Sequence, residues 1–313
     1  MRPLVAIPFV AALFAACATQ EKSATADTTK SSAAGGALAT PLGETANLQA
    51  PESVRYDPEL DVFYISNING NPAQKDGNGF IAVVRADSVG APPKMLVEGG
   101  KNGAKLDAPK GLALVGDTLW VTDLDHVRAF NRRTGAPIAD IDLSAQKATF
   151  LNDIAVGGNG AIYVTDSGIS MDAQGNMSHP GKDQIFKISG RTATVVTPDS
   201  LATPNGITWD PTNGRFILAA MGGKAVQTWK PGEKSVATLV NGPGQYDGVE
   251  VLRDGRILVT SWADSTVNVI QNGALTKLIT GQSGPADIGV DTKRMVLAIP
   301  RLTDNKVVYY KLP

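Results

Sequence analysis

The chain is poor in the residues that carry thiol, imidazole and nucleic-acid chemistry. Cys17 is the single cysteine among 313 residues. Everything after it therefore lacks a disulfide, and thiol chemistry is not its business. Only two histidines occur, His126 and His179. Lys and Arg offset Asp and Glu to a net charge of −1, and no basic cluster stands out. The electrostatic footprint of a nucleic-acid binder is missing, so no nucleic-acid partner is expected. Aromatic residues make up 6%, and no long segment repeats its apolar residues with a helical period. Glycine is abundant, at 33 residues, among many Val, Ile, Leu and Ala. That mixture suits a β-rich fold with many tight turns.

The N-terminus reads as an export signal. Met1-Arg2 supplies a minimal positive region, and the apolar stretch from Pro3 to Ala16 is too short to span a bilayer. It ends Leu13-Phe14-Ala15-Ala16-Cys17. This resembles the bacterial lipoprotein signal, in which a small residue precedes a cysteine that is lipidated after cleavage. Phe14 departs from the aliphatic residue usual at its place. An ordinary secretory signal and a buried structural Cys17 are the alternatives. The expectation is a signal peptide over 1–17 with lipidated Cys17, then a tether over 18–43. The tether is rich in Ala, Ser, Thr and Gly, and buries too little apolar surface to order itself. Ala18 after the cysteine resembles outer-membrane sorting. The folded part, 44–313, is then expected to face the periplasm as a monomer, meeting the membrane only through the lipid.

Within 44–313 a pattern recurs: an opening residue, often proline, then a polar residue, a small one, alternating apolar residues, a turn and a second apolar run. The copies are Pro51-Glu52-Ser53-Val54, Pro109-Lys110-Gly111-Leu112, Leu151-Asn152-Asp153-Ile154, Pro204-Asn205-Gly206-Ile207, Tyr246-Asp247-Gly248-Val249 and Pro285-Ala286-Asp287-Ile288. Their second positions are 58, 42, 53, 42 and 39 residues apart. Each interval suits a small four-stranded sheet of roughly 40–50 residues. Asn159-Gly160, Asn213-Gly214 and Asp254-Gly255 fall between apolar runs, a strong signal of short hairpins. Six such units bury their faces by packing radially. The fold class is therefore all-β, a six-bladed β-propeller with four-stranded blades. The last copy is one strand short, and the segment just before Pro51 is expected to supply its outer strand.

Equivalent positions of successive blades ring the axis. The second position reads Glu52, Lys110, Asn152, Asn205, Asp247, Ala286. Two carboxylates and two carboxamides thus converge. Calcium prefers six to eight oxygen ligands, and the two carboxylates balance a divalent charge. The ring has neither His nor Cys, which argues against zinc. A polar tunnel whose Asn-Gly and Asp-Gly pairs merely turn the chain is the plainer alternative.

The motifs Pro51-Glu52-Ser53, Leu151-Asn152-Asp153, Pro204-Asn205-Gly206 and Tyr246-Asp247-Gly248 resemble the gluconolactonase / senescence marker protein / luciferin-regenerating-enzyme family. The resemblance covers roughly 44–313. It implies a metal-dependent hydrolase of lactones, esters or organophosphates. In that family a Glu, two Asn and an Asp in this order hold the catalytic metal, here Glu52, Asn152, Asn205 and Asp247. It also gives Asp247 a catalytic role, as base or nucleophile. Lys110 departs from the pattern. It either orients a substrate carbonyl or carboxylate, or is an ion-paired tunnel residue, with Glu52 as its partner.

Other candidates are Asp123 and Asp166, which end second strands as caps or approach the tunnel mouth, and His126 and His179, read as solvated loop residues. His179 lies in a polar loop, Met171 to Lys182, over the site. Asn67 to Gly79 is read as a long loop over one face. Two functions follow. One is a calcium-dependent hydrolase of small lactone or ester substrates, with another divalent metal as an option. The other is a non-enzymatic, calcium-pinned propeller that binds a partner at the cell envelope.

Overall fold

The computed structural model describes residues 39–172 and 174–313. The expected signal peptide, Cys17 and the tether up to residue 38 lie outside the described residues. Six antiparallel sheets of four strands form the blades. Blade 1 comprises Pro51–Asp57, Val62–Asn67, Phe80–Arg85 and Lys94–Glu98. Blade 2 comprises Pro109–Val115, Thr118–Asp123, His126–Asn131 and Pro137–Asp142. Blade 3 uses Leu151–Val156, Ile162–Asp166, Gln184–Ser189 and Thr192–Val195. Blade 4 uses Pro204–Asp210, Arg215–Ala220, Ala225–Trp229 and Ala237–Asn241. Blade 5 uses Tyr246–Val251, Ile257–Ser261, Thr266–Gln271 and Ala274–Ile279. The polar loop of blade 3 folds into a short hairpin, Ser170–Met171 against Met177–Ser178.

The inner and middle strands form because both their faces are buried. In Val62–Asn67, Phe63 and Ile65 pack with blade 6, while Tyr64 packs with blade 2. Alternate side chains leave opposite faces of a strand, so a strand between two neighbours is apolar on both. The core is accordingly divided into six interblade layers. The hairpin turns fall where expected. Gly160, Gly214 and Gly255 have φ of 74°, 60° and 87°, which glycine adopts without a Cβ clash.

Blade 6 holds Gly289–Asp291, Val296–Arg301 and Lys306–Lys311. Its outer strand, Thr40–Thr45, comes from the other end of the domain and pairs with Lys306–Lys311. Thr45 Oγ1 meets Tyr309 Oη at 3.0 Å. The expected closure is present, but it starts at Thr40. Residues 40–43, expected in the tether, pair as sheet. The inner edge closes too, since Asp287 N donates to Glu52 O at 2.9 Å and Val54 N to Asp287 O at 3.2 Å.

This seam yields a prediction. A Cβ on Gly289 would lie 2.3 Å from the Val54 carbonyl oxygen, which is backbone and cannot swing away. Gly289→Ala is expected to cost about 1–3 kcal/mol through overpacking and to lower the urea midpoint. An unchanged midpoint would mean that the seam is looser than this contact requires.

Candidate functional site

In blades 1 to 5 the register of the inner strand slips between its first and fourth residues. Two residues there face one residue of the second strand: Ser66, Thr122, Thr165, Ala219 or Thr260. Such a bulge re-aims a side chain, and here it turns the second residue toward the axis. Glycine often fills the third place, because the next blade lies against it. A Cβ on Gly206 would sit 2.2 Å from Asp247 O. The hydroxyls opposite the bulge tie blades together. Thr122 donates to Asn152 O at 2.5 Å, Thr165 to Asn205 O at 2.6 Å, and Thr260 to Ala286 O at 3.2 Å.

Glu52, Lys110, Asn152, Asn205 and Asp247 are all buried, each 5% exposed or less. Asn152 Nδ2 donates to Ser167 Oγ at 3.1 Å, and that hydroxyl donates to Pro204 O at 2.7 Å. Trp262 Nε1 donates to Asp247 Oδ2 at 3.0 Å. Glu52 Oε2, Asn152 Oδ1, Asn205 Oδ1 and Asp247 Oδ1 are buried with no hydrogen-bond partner among the described residues. A buried unsatisfied acceptor costs about 1–3 kcal/mol, and four from four blades on one tunnel is an unusual concentration.

Burial pushes the Glu52 carboxyl well above its ordinary range. The charges of Asp247 and Asp287 add to this, and Lys110 opposes it. Blades 1 and 5 are not neighbours, so Glu52 senses the Asp247 charge across the axis. Burial likewise pushes Asp247 up to about 8, helped by Asp287 and opposed by the Trp262 hydrogen bond.

A family model described as SMP-30/Gluconolactonase/LRE-like region matches residues 50–282, more than half of the chain. The chain belongs to this family. It is a hydrolase-like propeller of the SMP-30/gluconolactonase/LRE-like type. Among solved structures it resembles a structural-genomics protein described as a gluconolactonase, with a TM-score of 0.66 at 15% identity over 88% of this chain and 92% of that one. It also resembles a luciferin-regenerating enzyme, with a TM-score of 0.64 at 12% identity over 85% and 92%. A streptogramin B lyase aligns with a TM-score of 0.59 at 15% identity over 86% and 97%. These likenesses are likenesses of fold. No curated protein matches the chain.

Lys110 is not paired with Glu52 in this SMP-30/gluconolactonase/LRE-like tunnel. Its Nζ donates to Ala108 O at 3.1 Å and lies 4.1 Å from the centre of the Phe150 ring. The ion-pair expectation fails because the backbone carbonyl and the ring face hold the ammonium instead. Burial lowers Lys110 to about 8, against the nearby negative charges of Glu52, Asp123 and Asp166. Asp123 and Asp166 are caps. Asp123 accepts the N–H groups of Asp107 and Ala108, and Asp166 those of Thr149, Phe150 and Gly168. The long loop of blade 1 reaches over its neighbours: Lys75 Nζ meets Asp125 Oδ2 at 2.6 Å, and Asn71 Nδ2 donates to Asp172 O at 3.1 Å. His179 is held by Asp183 at 2.8 Å.

The sequence reading missed a second polar layer below the ring. Arg55 donates to Leu112 O of blade 2 at 2.8 Å and pairs with Glu250 of blade 5, so its guanidinium spans the tunnel. Ser53 Oγ donates to Asp287 Oδ2 at 2.5 Å. Asp153 accepts Ile154 N and Ile207 N, both at 2.7 Å, and burial raises it to about 7. The signal was available: Ser53, Asp153 and Asp287 share the third place of the repeat, and Arg55 and Glu250 share a place further along. A cavity of about 530 Å³ lies at the far ends of the inner strands, lined by Arg55, Glu59 and Trp209 among others, away from the ring.

The ring predicts a pH effect. An unfolded chain ionises Asp247 near pH ~4, but the folded, metal-free chain does so at about 8. Between these values the folded state keeps a proton that the unfolded state has lost. Asp247 therefore makes stability fall as pH rises through that window. In chelator, Asp247→Asn is expected to gain thermal stability relative to the parent on going from pH 4 to pH 8. An equal difference in melting temperature at both pH values would contradict the buried-charge account.

Proposed function

We propose that the chain is a calcium-dependent hydrolase of lactone, ester or related small-molecule substrates. The observation that carries this reading is the set of four buried, unpartnered oxygens on Glu52, Asn152, Asn205 and Asp247. They are acceptors only, two belong to carboxylates, and among the described residues neither sulfur nor imidazole joins them, a set suited to a hard cation. Water or substrate would complete the coordination. When bound there, the ion supplies Lewis-acid polarisation of a substrate carbonyl and neutralises charge developing on it.

The chain's own residues do the rest. Ser167 holds the Asn152 amide so that its oxygen faces inward. Trp262 fixes Asp247 through Oδ2, leaving Oδ1 to the ion and the carboxylate as the base or nucleophile of the reaction. Lys110, which forms no ion pair among the described residues, presents an ammonium that orients a substrate carbonyl or carboxylate. Arg55 and its partners close the tunnel beneath, so substrate enters from the face that carries the long loops.

Screening lactones, aryl esters and phosphotriesters with and without chelator tests the reading. On the substrate found, Asp247→Asn with calcium bound is expected to remain depressed by about 10²–10⁴-fold, the usual worth of a general base. Glu52→Gln should recover much of its activity in excess calcium. If Asp247→Asn returns to parental turnover once the metal is bound, Asp247 is only a ligand. If the parent turns over nothing, the chain is instead a calcium-pinned propeller that binds a partner.

We also propose that Cys17 carries a lipid that anchors the propeller at the bacterial envelope, on the periplasmic side of the outer membrane. Two or more acyl chains hold a protein where one is marginal. Cys17→Ser is expected to move the protein from the membrane fraction to the soluble fraction. A variant that stays with the membrane would contradict the anchor.

A further inference from the structure

Away from the tunnel, the turn and outer edge of blade 2 gather a second ligand set. Asp125 and His126 follow the second strand, and Asp142 ends the outer strand directly opposite His126 in the ladder. One ligand atom from each of Asp125, His126 and Asp142 lies within 4.8 Å of the others. Asp125 is 9% exposed. Its Oδ2 is taken by Lys75 at 2.6 Å, while its Oδ1 is buried with no hydrogen-bond partner among the described residues. That oxygen faces His126 Nε2 at 3.7 Å. The gap is too long for a hydrogen bond. It fits two ligands on one ion, each about 2.0–2.2 Å from it.

The imidazole is also held as metal-bound imidazoles are. His126 Nδ1 meets Asp140 Oδ1 at 2.6 Å, and Asp140 Oδ2 accepts from Arg128 at 2.9 Å. A carboxylate on one ring nitrogen fixes the tautomer and leaves the other nitrogen's lone pair for the metal. Here that nitrogen is Nε2, the one 3.7 Å from Asp125 Oδ1. Arg128 and the more distant Lys105 engage Asp140, and Lys75 balances Asp125, so the charge without a cation belongs to Asp125 Oδ1 and to Asp142, whose Oδ1 accepts Ser144 N at 2.8 Å. Calcium favours oxygen alone, whereas one imidazole with two carboxylates suits zinc or a similar divalent transition metal.

We infer that Asp125, His126 and Asp142 form a second cation site, of zinc type, on blade 2. It is independent of the tunnel ring and of any hydrolytic activity. It lies where Lys75 brings the blade 1 loop onto blade 2, so an ion there fixes the carboxylate that the loop grips. The test is calorimetric titration of the full chain with zinc after the ring has been saturated with calcium. One zinc per chain is expected to depend on His126. Asp140→Asn, which removes only the imidazole's support, is expected to weaken zinc by about 10–100-fold, and His126→Ala and Asp142→Asn by at least as much. Asp247→Asn should leave zinc affinity unchanged. Cobalt in place of zinc should give visible absorption that His126→Ala abolishes. Should His126→Ala fail to fold, the exposed Asp142 decides through Asp142→Asn. The inference is overturned if the calcium-loaded chain takes up no zinc, or if Asp142→Asn and Asp140→Asn bind it as the parent does.

Discussion

One backbone device, a two-against-one bulge at the start of each inner strand from blade 1 to blade 5, sets everything at the ring. A regular strand would send successive side chains alternately into the two interblade layers. The bulge frees one residue per blade from that alternation and points it at the axis. The threonine hydroxyls opposite it hold the geometry by bonding to the next blade's carbonyls. The apolar layers and the ring are thus separable in chemistry but joined in backbone. Stability comes from the side chains that alternate, and function from those that do not.

The ring is costly to the folded chain when it holds no cation. Burial raises the proton affinity of both carboxylates, Asp287 adds to both, and the Asp247 charge raises Glu52 further. Lys110 opposes the rise of Glu52 and Arg55 that of Asp287, but neither cation forms an ion pair with Glu52 or Asp247 among the described residues. Buried charge that its neighbours leave unneutralised is typical of sites built for a ligand. The proposed ion resolves the repulsion and satisfies the free oxygens in one step, whereas protonation resolves only the first.

Much of the fold was legible because the repeat is written in glycine, turn pairs and the polar second place. The outer closing strand was legible in position but not in extent. Thr40–Thr45 is mostly exposed and contains Pro41 and Gly43, so it carries no alternating pattern; backbone pairing alone defines it. The five polar residues at the second place of the repeat could be named from sequence because the repeat itself marks them, and all five are buried. The partner of Lys110 could not, because the Ala108 carbonyl and the Phe150 ring become its neighbours only through folding. Arg55, Asp153, Glu250 and Asp287 escaped notice because charged residues in alternating strands read as outward-facing. In a propeller, the innermost strand has no outward face.

The central claim is that Glu52, Asn152, Asn205 and Asp247 share one metal ion. A crystal structure of the chain grown with calcium tests it directly. The account predicts a single ion on the axis with an oxygen of each of the four residues at about 2.3–2.6 Å, and Lys110 still over Phe150. A tunnel that holds only water on those four oxygens, with calcium bound elsewhere or not at all, would contradict it.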